Sequence, residues 1–365
     1  MKKPLRNVIA ICLVISANLS HSLAQEIDYP ARYICYRTSG DIIIDGQINE
    51  SDWEKVPWTK DFVDIEGIDM PVPTYRTRAK MLWDKEYFYV AAELEEPHIW
   101  ATYDKRDMVI FHEHDFEVFI DPDGDTHQYY ELEINAKGTI WDLFLGKPYR
   151  DGGPAINSWD INGLKRAVHL YGDLNNPDNI DEKWCVELAF PWNVLRECAR
   201  PRRKPEDGDQ WRVNFSRVEW RLDIVDGKYQ KTINPDTGKP YPENNWVWSP
   251  QGVIAMHQPE TWGYVQFSTV EAGQGNVAFH VDPDEEIKWA LREVYYLERE
   301  YKEENGSYSS DHEKINTNTI RLNGRKFKPD IIANKDMFHC SYPGKEKDST
   351  WHIREDGKVW KTVME

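Results

Sequence analysis

The stretch that decides the fold reads Asp115-Phe-Glu-Val-Phe-Ile-Asp121, then Pro122-Asp-Gly-Asp125, then Tyr129-Tyr-Glu-Leu-Glu-Ile-Asn135. Successive side chains of a β-strand point to opposite faces, so both seven-residue segments read as strands joined by a turn. One face is apolar. The other carries Glu117 on the first strand and Glu133 and Asn135 on the second, and this predicts a sheet with one buried and one polar face.

The same β pattern extends outward in both directions, from Tyr33 to about Ser268. Short β runs there are separated by Gly, Pro, Asn and Asp, which is typical of an antiparallel β-sandwich. The predicted strands cover 42–44, 78–83, 87–94, 115–120, 129–135, 140–145, 165–169, 183–190, 212–219 and 263–267. The fold class is therefore mainly β.

The pattern changes after residue 268. Residues 269–281 are predicted to be a linker, and a capped amphipathic helix is expected from Asp282 until Asn305-Gly306 ends it. Segments 350–353 and 358–361 form a predicted hairpin that covers the apolar face of this helix. Residues 282–365 are thus expected to be a small α+β appendage to a sandwich domain that spans 25–268.

Charge and targeting signals restrict the function classes. The 365 residues include 63 Asp and Glu against 45 Lys and Arg, for a formal net charge of −18. Such a chain repels phosphate backbones, so no nucleic acid is expected as a partner. A basic start, a short apolar run and Ser22-Leu23-Ala24 predict a signal peptide over 1–24 that is cleaved after Ala24. We therefore expect an exported protein, periplasmic or extracellular, without membrane insertion.

Four cysteines follow the predicted cleavage point: Cys35, Cys185, Cys198 and Cys340. In an oxidising compartment they allow three disulfide pairings, and the sequence does not choose among them. A buried free thiol is an equally good interpretation for Cys185, which alternates with apolar residues.

Polar residues on neighbouring strands are the first candidate binding group. Glu117, Glu133 and Asn135 are expected to share one surface with the strand around Ser216, with Arg217 just beyond it. A half-exposed sheet needs polar residues in any case. Carboxylates and amides with tryptophan nearby are also what a site for sugar hydroxyls requires.

The loop between the first two strands is a candidate metal site. Asp121, Asp123 and Asp125 alternate around a glycine, as oxygen ligands do in calcium loops. Pro-Asp-Gly-Asp is also a good turn sequence, so a turn without metal is the alternative. His112, beside another histidine before the first strand, is interpreted as a rim residue rather than a metal ligand.

Aromatic side chains could supply stacking surfaces. Trp246 and Trp248 lie in a loop rich in Pro and Asn, where burial is least expected, and so Trp248 is a candidate platform for a sugar ring. A loop tryptophan that folds back as a lid is the alternative. Trp83 and Trp184 alternate regularly within strands and are expected in the core.

Five segments together resemble the family 9 carbohydrate-binding modules, over about residues 42 to 268. They are Ile44-Asp-Gly-Gln-Ile-Asn-Glu-Ser-Asp-Trp53, Ala79-Lys-Met-Leu-Trp-Asp-Lys-Glu-Tyr-Phe-Tyr-Val90, Asp115-Phe-Glu-Val-Phe-Ile-Asp121, Val186-Glu-Leu-Ala-Phe-Pro-Trp192 and Trp262-Gly-Tyr-Val-Gln-Phe267. The resemblance implies a DOMON-like β-sandwich, structural calcium, and recognition of glycan ends by two tryptophans that enclose a sugar ring.

The family's site residues transfer only in part. Glu117 matches the family's binding carboxylate, and Glu133 and Asn135 match its polar pair, with Glu133 where the family has Arg. The two sandwich tryptophans fall near His112 and Met256, and neither is Trp. A loop aromatic such as Trp248 would have to replace the missing platform.

Two functions compete for these residues, and a third has less support. We expect a glycan-binding protein that serves polysaccharide catabolism. The alternative is a glycoside hydrolase with Glu117 and Glu133 as its carboxylate pair, if the two groups are about 5–9.5 Å apart. A haem-binding relative of the sandwich is a third option, for which Met256 with His112 is the support.

Overall fold

The computed structural model describes residues 30–364. The predicted signal peptide therefore lies outside the described residues. The helices are α1 (Ser51–Lys55), α2 (Trp192–Leu195) and α3 (Glu285–Asn305), and short 3-10 turns cover Ile110–His112, Tyr149–Asp151, Pro259–Thr261 and Thr317–Thr319. Within these residues no helix is long and apolar enough to cross a membrane.

The strands of the first 271 residues are β1 (Arg32–Arg37), β2 (Val63–Asp64), β3 (Thr77–Trp83), β4 (Tyr87–Glu95), β5 (Asp115–Asp121), β6 (Tyr129–Ile134), β7 (Ile140–Leu145), β8 (Ala155–Ile156), β9 (Lys165–Tyr171), β10 (Lys183–Pro191), β11 (Gln210–Glu219), β12 (Leu222–Val225), β13 (Lys228–Lys231), β14 (Asn244–Val247) and β15 (Gly263–Glu271). Those of the C-terminal part are β16 (Arg321–Leu322), β17 (Arg325–Lys326), β18 (Asp330–Ala333), β19 (Phe338–Pro343), β20 (Ser349–Arg354) and β21 (Val359–Val363).

The main sheet folds over into a sandwich. Its strand order is β8-β7-β6-β5-β11-β15-β1-β3-β4-β10-β9, with β14 beside β11 and β2 beside β14. Val118 and Phe215 from one half pack in a single buried cluster with Val90 and Leu188 from the other, so the halves face each other across one core. The predicted mainly β sandwich is confirmed, and Trp83 and Trp184 are in its core.

Pairing is antiparallel except at β1, which pairs in parallel with both β15 and β3 and so joins the two halves. β1 and β14 are strands that the pattern missed. The predicted strand at 42–44 is wrong, because the chain turns there: the N–H groups of Asp45 and Gly46 donate to the buried Glu187 carboxylate. The predicted linker is also shorter at its start, since β15 continues to Glu271.

The C-terminal part contains the predicted helix and hairpin, and it adds two strands, β18 and β19, that the sequence pattern did not indicate. Helix α3 packs on the antiparallel sheet β18-β19-β20-β21, with Leu291 and Val294 in one buried cluster with Ile353 and Val359. This appendage also contacts the sandwich, where Gly357 O accepts from Thr126 Oγ1 at 3.0 Å. The appendage is thus fixed against the loop between β5 and β6.

All four cysteines are buried and unbonded. Burial raises the pKa of the Cys185 thiol to about 12 and that of Cys198 to about 11. The free-thiol interpretation therefore describes the structure, and none of the three disulfide pairings forms.

Candidate functional site

The outer face of β5, β6 and β11 brings together a group of acidic side chains. Glu117 lies directly opposite Glu133 on the neighbouring strand and opposite Ser216 on the other side. Asp115 and Glu131 share the face because they are two residues away along the same strands. Asp115, Glu117 and Glu133 offer carboxylate oxygens within 4.8 Å of one another. We call Asp115, Glu117, Glu131 and Glu133 the carboxylate face.

These carboxylates are buried, since each is at most 5% exposed. Burial raises the pKa of Glu117 to about 7. Burial, and then the neighbouring Asp115 and Glu117, raise the pKa of Glu133 well above its ordinary value. Like charges that are held close in a low dielectric cannot all be ionised without a counter-charge. The face therefore requires protons or cations.

One rim of this face is aromatic. Trp141 lies directly opposite Glu133 in the pairing of β6 with β7 and is half-buried. Phe111 stacks on Trp141 with ring centroids 6.4 Å apart, and its N–H donates to Glu133 Oε2 at 2.9 Å. The exposed His112 ring is 4.7 Å from that of Phe111. His112 thus lies beside this aromatic rim, and its role there stays a prediction.

The opposite rim consists of two segments that fold over the sheet. His257 Nδ1 is 2.9 Å from Tyr129 Oη, and its Nε2 is 3.9 Å from Glu131 Oε2. Tyr149, which is 48% exposed, meets the His257 ring edge-on at 4.5 Å. Met256 and Trp141 both pack against a buried cluster that contains Trp262. These segments account for the burial of polar groups on an outer face.

Three predicted site residues do not join the carboxylate face. Asn135 is engaged locally: its Nδ2 donates to Tyr103 O and Glu113 Oε1, and its Oδ1 accepts from Lys137 N and Thr139 N. Its side chain therefore stabilises the turn after β6. Both its donor and its acceptor atoms already make hydrogen bonds within the protein.

Arg217 lies on the other face of β11, opposite Phe116. Its Nη2 donates to Glu96 Oε2 and to Glu219 Oε2, both at 2.8 Å, and the residue is 1% exposed. The expectation that Arg217 contributes to the polar surface is wrong, because period-two alternation places it with Val213 and Phe215.

Trp248 is also a core residue. It is 5% exposed and packs against Phe215, with centroids 5.7 Å apart. Its ring lies only 2.4 Å from where a Cβ at Gly263 would be, so it fills the space that this glycine leaves. Trp248 borders a cavity that is also lined by Trp58 of the sandwich and Trp289 of helix α3, away from the carboxylate face. The prediction that Trp248 offers an open stacking face is wrong, and the lid alternative describes it.

The predicted metal loop is compact. Asp121, Asp123 and Asp125 offer oxygens within 4.8 Å of one another, and Asp123 Oδ1 is buried without a hydrogen-bond partner. Burial and then Asp125 raise the pKa of Asp123 to about 7. Lys358 from the appendage supplies one positive charge, with Nζ 2.8 Å from Asp125 Oδ2. Three crowded carboxylates and an unpartnered oxygen fit a hard cation such as calcium.

Sequence reasoning did not select Tyr149, His257 or Phe111. Phe111 and Tyr149 lie in single 3-10 turns and His257 lies in a loop, and these segments reach the face only through the tertiary fold, so no periodic pattern identifies them. Trp141 carried a usable signal: it occupies the position on β7 that alternation assigns to the polar face.

The fold and the face define a β-sandwich with an acidic, aromatic-rimmed surface on one outer side of the sheet. Residues 44–142 match the family described as carbohydrate family 9 binding domain-like. The resemblance to family 9 carbohydrate-binding modules is therefore confirmed. Glu117, Glu133 and Trp141 all lie within the matched residues.

Individual proteins are similar over different shares of their length. Exoglucanase XynX of Acetivibrio thermocellus is 28% identical over 156 residues, which are 43% of this chain and 12% of that enzyme. A crystal structure from Bacteroides uniformis has a TM-score of 0.47 and 16% identity, and covers 66% of this chain and all of its own. A family 9 module from Caldicellulosiruptor kristjanssonii, in complex with cellotriose, has a TM-score of 0.41 and 15% identity, with coverage of 69% and 100%.

Proposed function

We propose that this protein is an exported carbohydrate-binding protein that holds a glycan or oligosaccharide on the carboxylate face. One observation carries the proposal: a half-buried tryptophan, Trp141, lies directly opposite Glu133, which in turn lies opposite Glu117, within the residues matched to the family. Aromatic rings contact the apolar faces of sugars, and carboxylates accept their hydroxyl protons. The pair of enclosing tryptophans is replaced by Trp141 on one rim and Tyr149 on the other.

Export to the periplasm or the cell exterior, and a role in polysaccharide catabolism, are parts of this proposal. They rest on the signal-peptide pattern of residues 1–24 and on the family match. We also propose that Asp121, Asp123 and Asp125 hold a structural calcium ion that fixes the β5–β6 loop. The unpartnered Asp123 Oδ1 supports this role.

The hydrolase alternative is the weaker interpretation. Glu117 and Glu133 project from adjacent strands on the same side of one sheet, with oxygens within 4.8 Å. A glycosidase pair flanks the scissile bond and is separated by about 5 Å or more. Two neighbouring groups on one surface favour a shared proton or cation instead of an acid and a base on opposite sides of a sugar.

The experiment is a glycan array, including glucose and cellotriose, followed by calorimetry with the best ligand. Trp141→Ala and Tyr149→Ala should each weaken binding, because each removes an aromatic ring on which a sugar ring stacks. Stacking of a nucleic-acid base on an aromatic side chain is worth about 1–3 kcal/mol. A sugar ring held in the same way would lose about fivefold to more than a hundredfold in Kd. Trp360→Ala is the matched control, since Trp360 is a half-buried tryptophan of the appendage that stacks on His352. Equal affinity in all three variants would contradict the proposed face.

A further inference from the structure

The carboxylate face lacks a counter-charge. Within residues 30–364, no Lys or Arg forms an ion pair with Asp115, Glu117, Glu131 or Glu133. The basic contact to the group is His257, 3.9 Å from Glu131. Burial, and then the nearby Arg150, lower the pKa of His257 to about 4, so this imidazole is neutral at physiological pH. Nothing among the described residues neutralises the group.

Two oxygens of the group also lack hydrogen-bond partners. Asp115 is fully buried, and while its Oδ1 accepts from Val218 N at 3.3 Å, its Oδ2 has no partner. Glu131 Oε2 is likewise buried without one. The neighbouring Glu113 shows the contrast, because its carboxylate accepts from Thr102 N and Tyr103 N. A buried carboxylate oxygen without a partner is costly unless a ligand supplies one.

The geometry suits a metal ion. Calcium binds oxygen ligands at about 2.3–2.6 Å, so two ligands on opposite sides of the ion are about 4.6–5.2 Å apart. The oxygens of Asp115, Glu117 and Glu133 are all within 4.8 Å of one another. We propose that Asp115, Glu117 and Glu133 bind a divalent hard cation of the calcium class, and that this ion coordinates hydroxyl groups of the bound sugar.

The part of this inference in which the ion coordinates sugar hydroxyls rests on the proposed function. Calcium takes about six to eight oxygen ligands, and three carboxylates leave positions for water or for vicinal hydroxyls. Trp141 stands beside Glu133, so a sugar whose hydroxyls reach the ion has an aromatic ring next to it. The face differs from the Asp121, Asp123 and Asp125 loop, where Lys358 already supplies a positive charge.

The test must separate these two acidic groups. Calcium is titrated by calorimetry into two metal-free full-length proteins, Asp123→Asn and the double variant Asp123→Asn/Glu133→Gln. The Asp123→Asn change weakens the site formed by Asp121, Asp123 and Asp125 in both. We expect the single variant to retain a calcium site and the double variant to bind at least about tenfold more weakly, as loss of a charged ligand predicts. Equal calcium affinity in the two proteins would overturn the inference.

A second measurement does not depend on the stability of the double variant. Terbium replaces calcium in the Asp123→Asn protein, and its emission is excited through tryptophan. Trp141→Phe in the same background should reduce the sensitised emission while the terbium affinity is unchanged. Unchanged emission intensity would place the bound ion away from Trp141 and would overturn the inference.

Sugar binding distinguishes failure of this inference from failure of the proposed function. The best array ligand is titrated into wild type with calcium and with EDTA, and we expect EDTA to abolish binding. A glycan that binds equally well in EDTA would overturn the cation bridge and leave carbohydrate binding intact. Calcium at the face without any bound glycan would support the ion site and remove the proposed function. An amino sugar that binds only when EDTA is present would show that its ammonium group, and not a metal ion, neutralises the carboxylate face. That result would overturn the inference.

Discussion

Replacing Arg217 by Met tests whether this residue belongs to the core or to the binding surface. The guanidinium is 1% exposed and donates to Glu96, Glu219, Thr77 Oγ1 and Glu95 O. Methionine has similar length without charge, so the change leaves two buried carboxylates with His114 as their remaining cationic neighbour.

The expected cost follows from the burial of this network. Removal of one partner from a buried ion pair destabilises a protein by about 3–5 kcal/mol, because the other charge remains in a low dielectric. The unfolding equilibrium constant should therefore rise at least about a hundredfold. Urea unfolding of wild type and Arg217→Met at pH 7 measures this difference.

The matched control is a triple variant, Glu96→Gln/Arg217→Met/Glu219→Gln, in which the stranded charges are also removed. It should recover part of the lost stability, since neutral side chains cost less to bury than charges do. Glycan affinity of folded Arg217→Met should equal that of wild type. A stability loss below about 1 kcal/mol together with weaker glycan binding would refute the placement of Arg217 in the core.

Three further predictions concern other parts of the molecule. Trp248→Ala should destabilise the fold by about 3–5 kcal/mol in urea unfolding, because it removes an aromatic ring from the core. The glycan affinity of the folded variant should equal that of wild type. A change in affinity without a loss of stability would contradict this. Burial raises the pKa of Glu298 from 4.5 to about 7. The fold therefore disfavours the ionised form, and stability is lost as the pH rises from about 4.5 to 7. The free energy of unfolding of Glu298→Gln should be higher than that of wild type by up to about 3 kcal/mol at pH 8, and the two should be equal at pH 4. Equal pH profiles of stability for the two proteins would contradict this. Asp123→Asn should reduce the rise in melting temperature that millimolar calcium produces in chelator-treated wild type, and an unaltered rise would favour a loop that serves only as a turn.

Much of the fold could be predicted from local pattern. Apolar and polar side chains alternate with a period of two over β5, β6 and β7. The strands and their apolar faces can therefore be predicted from the sequence. The same holds for α3, with its first-turn acids and its terminal Gly306. The short strand β14 was missed, because proline and asparagine surround it and only its pairing with β11 and β2 makes it a strand.

The site was predictable to a smaller extent. Alternation alone places Glu117 and Glu133 on one face, and the family resemblance marks them as binding residues. Whether a loop residue is open or buried depends on what packs over it, and this is decided by contacts between distant parts of the chain. Trp248 illustrates the point, since the space that it fills exists only because Gly263 arrives there from another strand.

The sequence by itself determined the sandwich, the helical appendage and the presence of an acidic sheet face, because each depends on a periodicity within a few residues. Only the tertiary structure decided that this face is covered and that no Lys or Arg among residues 30–364 pairs with it. Tyr149 and His257 close over it from segments outside the sheet, while Arg217 of β11 pairs with Glu96 and Glu219 on the opposite side. Burial and charge balance are sums over contacts far apart in the chain, so no local pattern contains them.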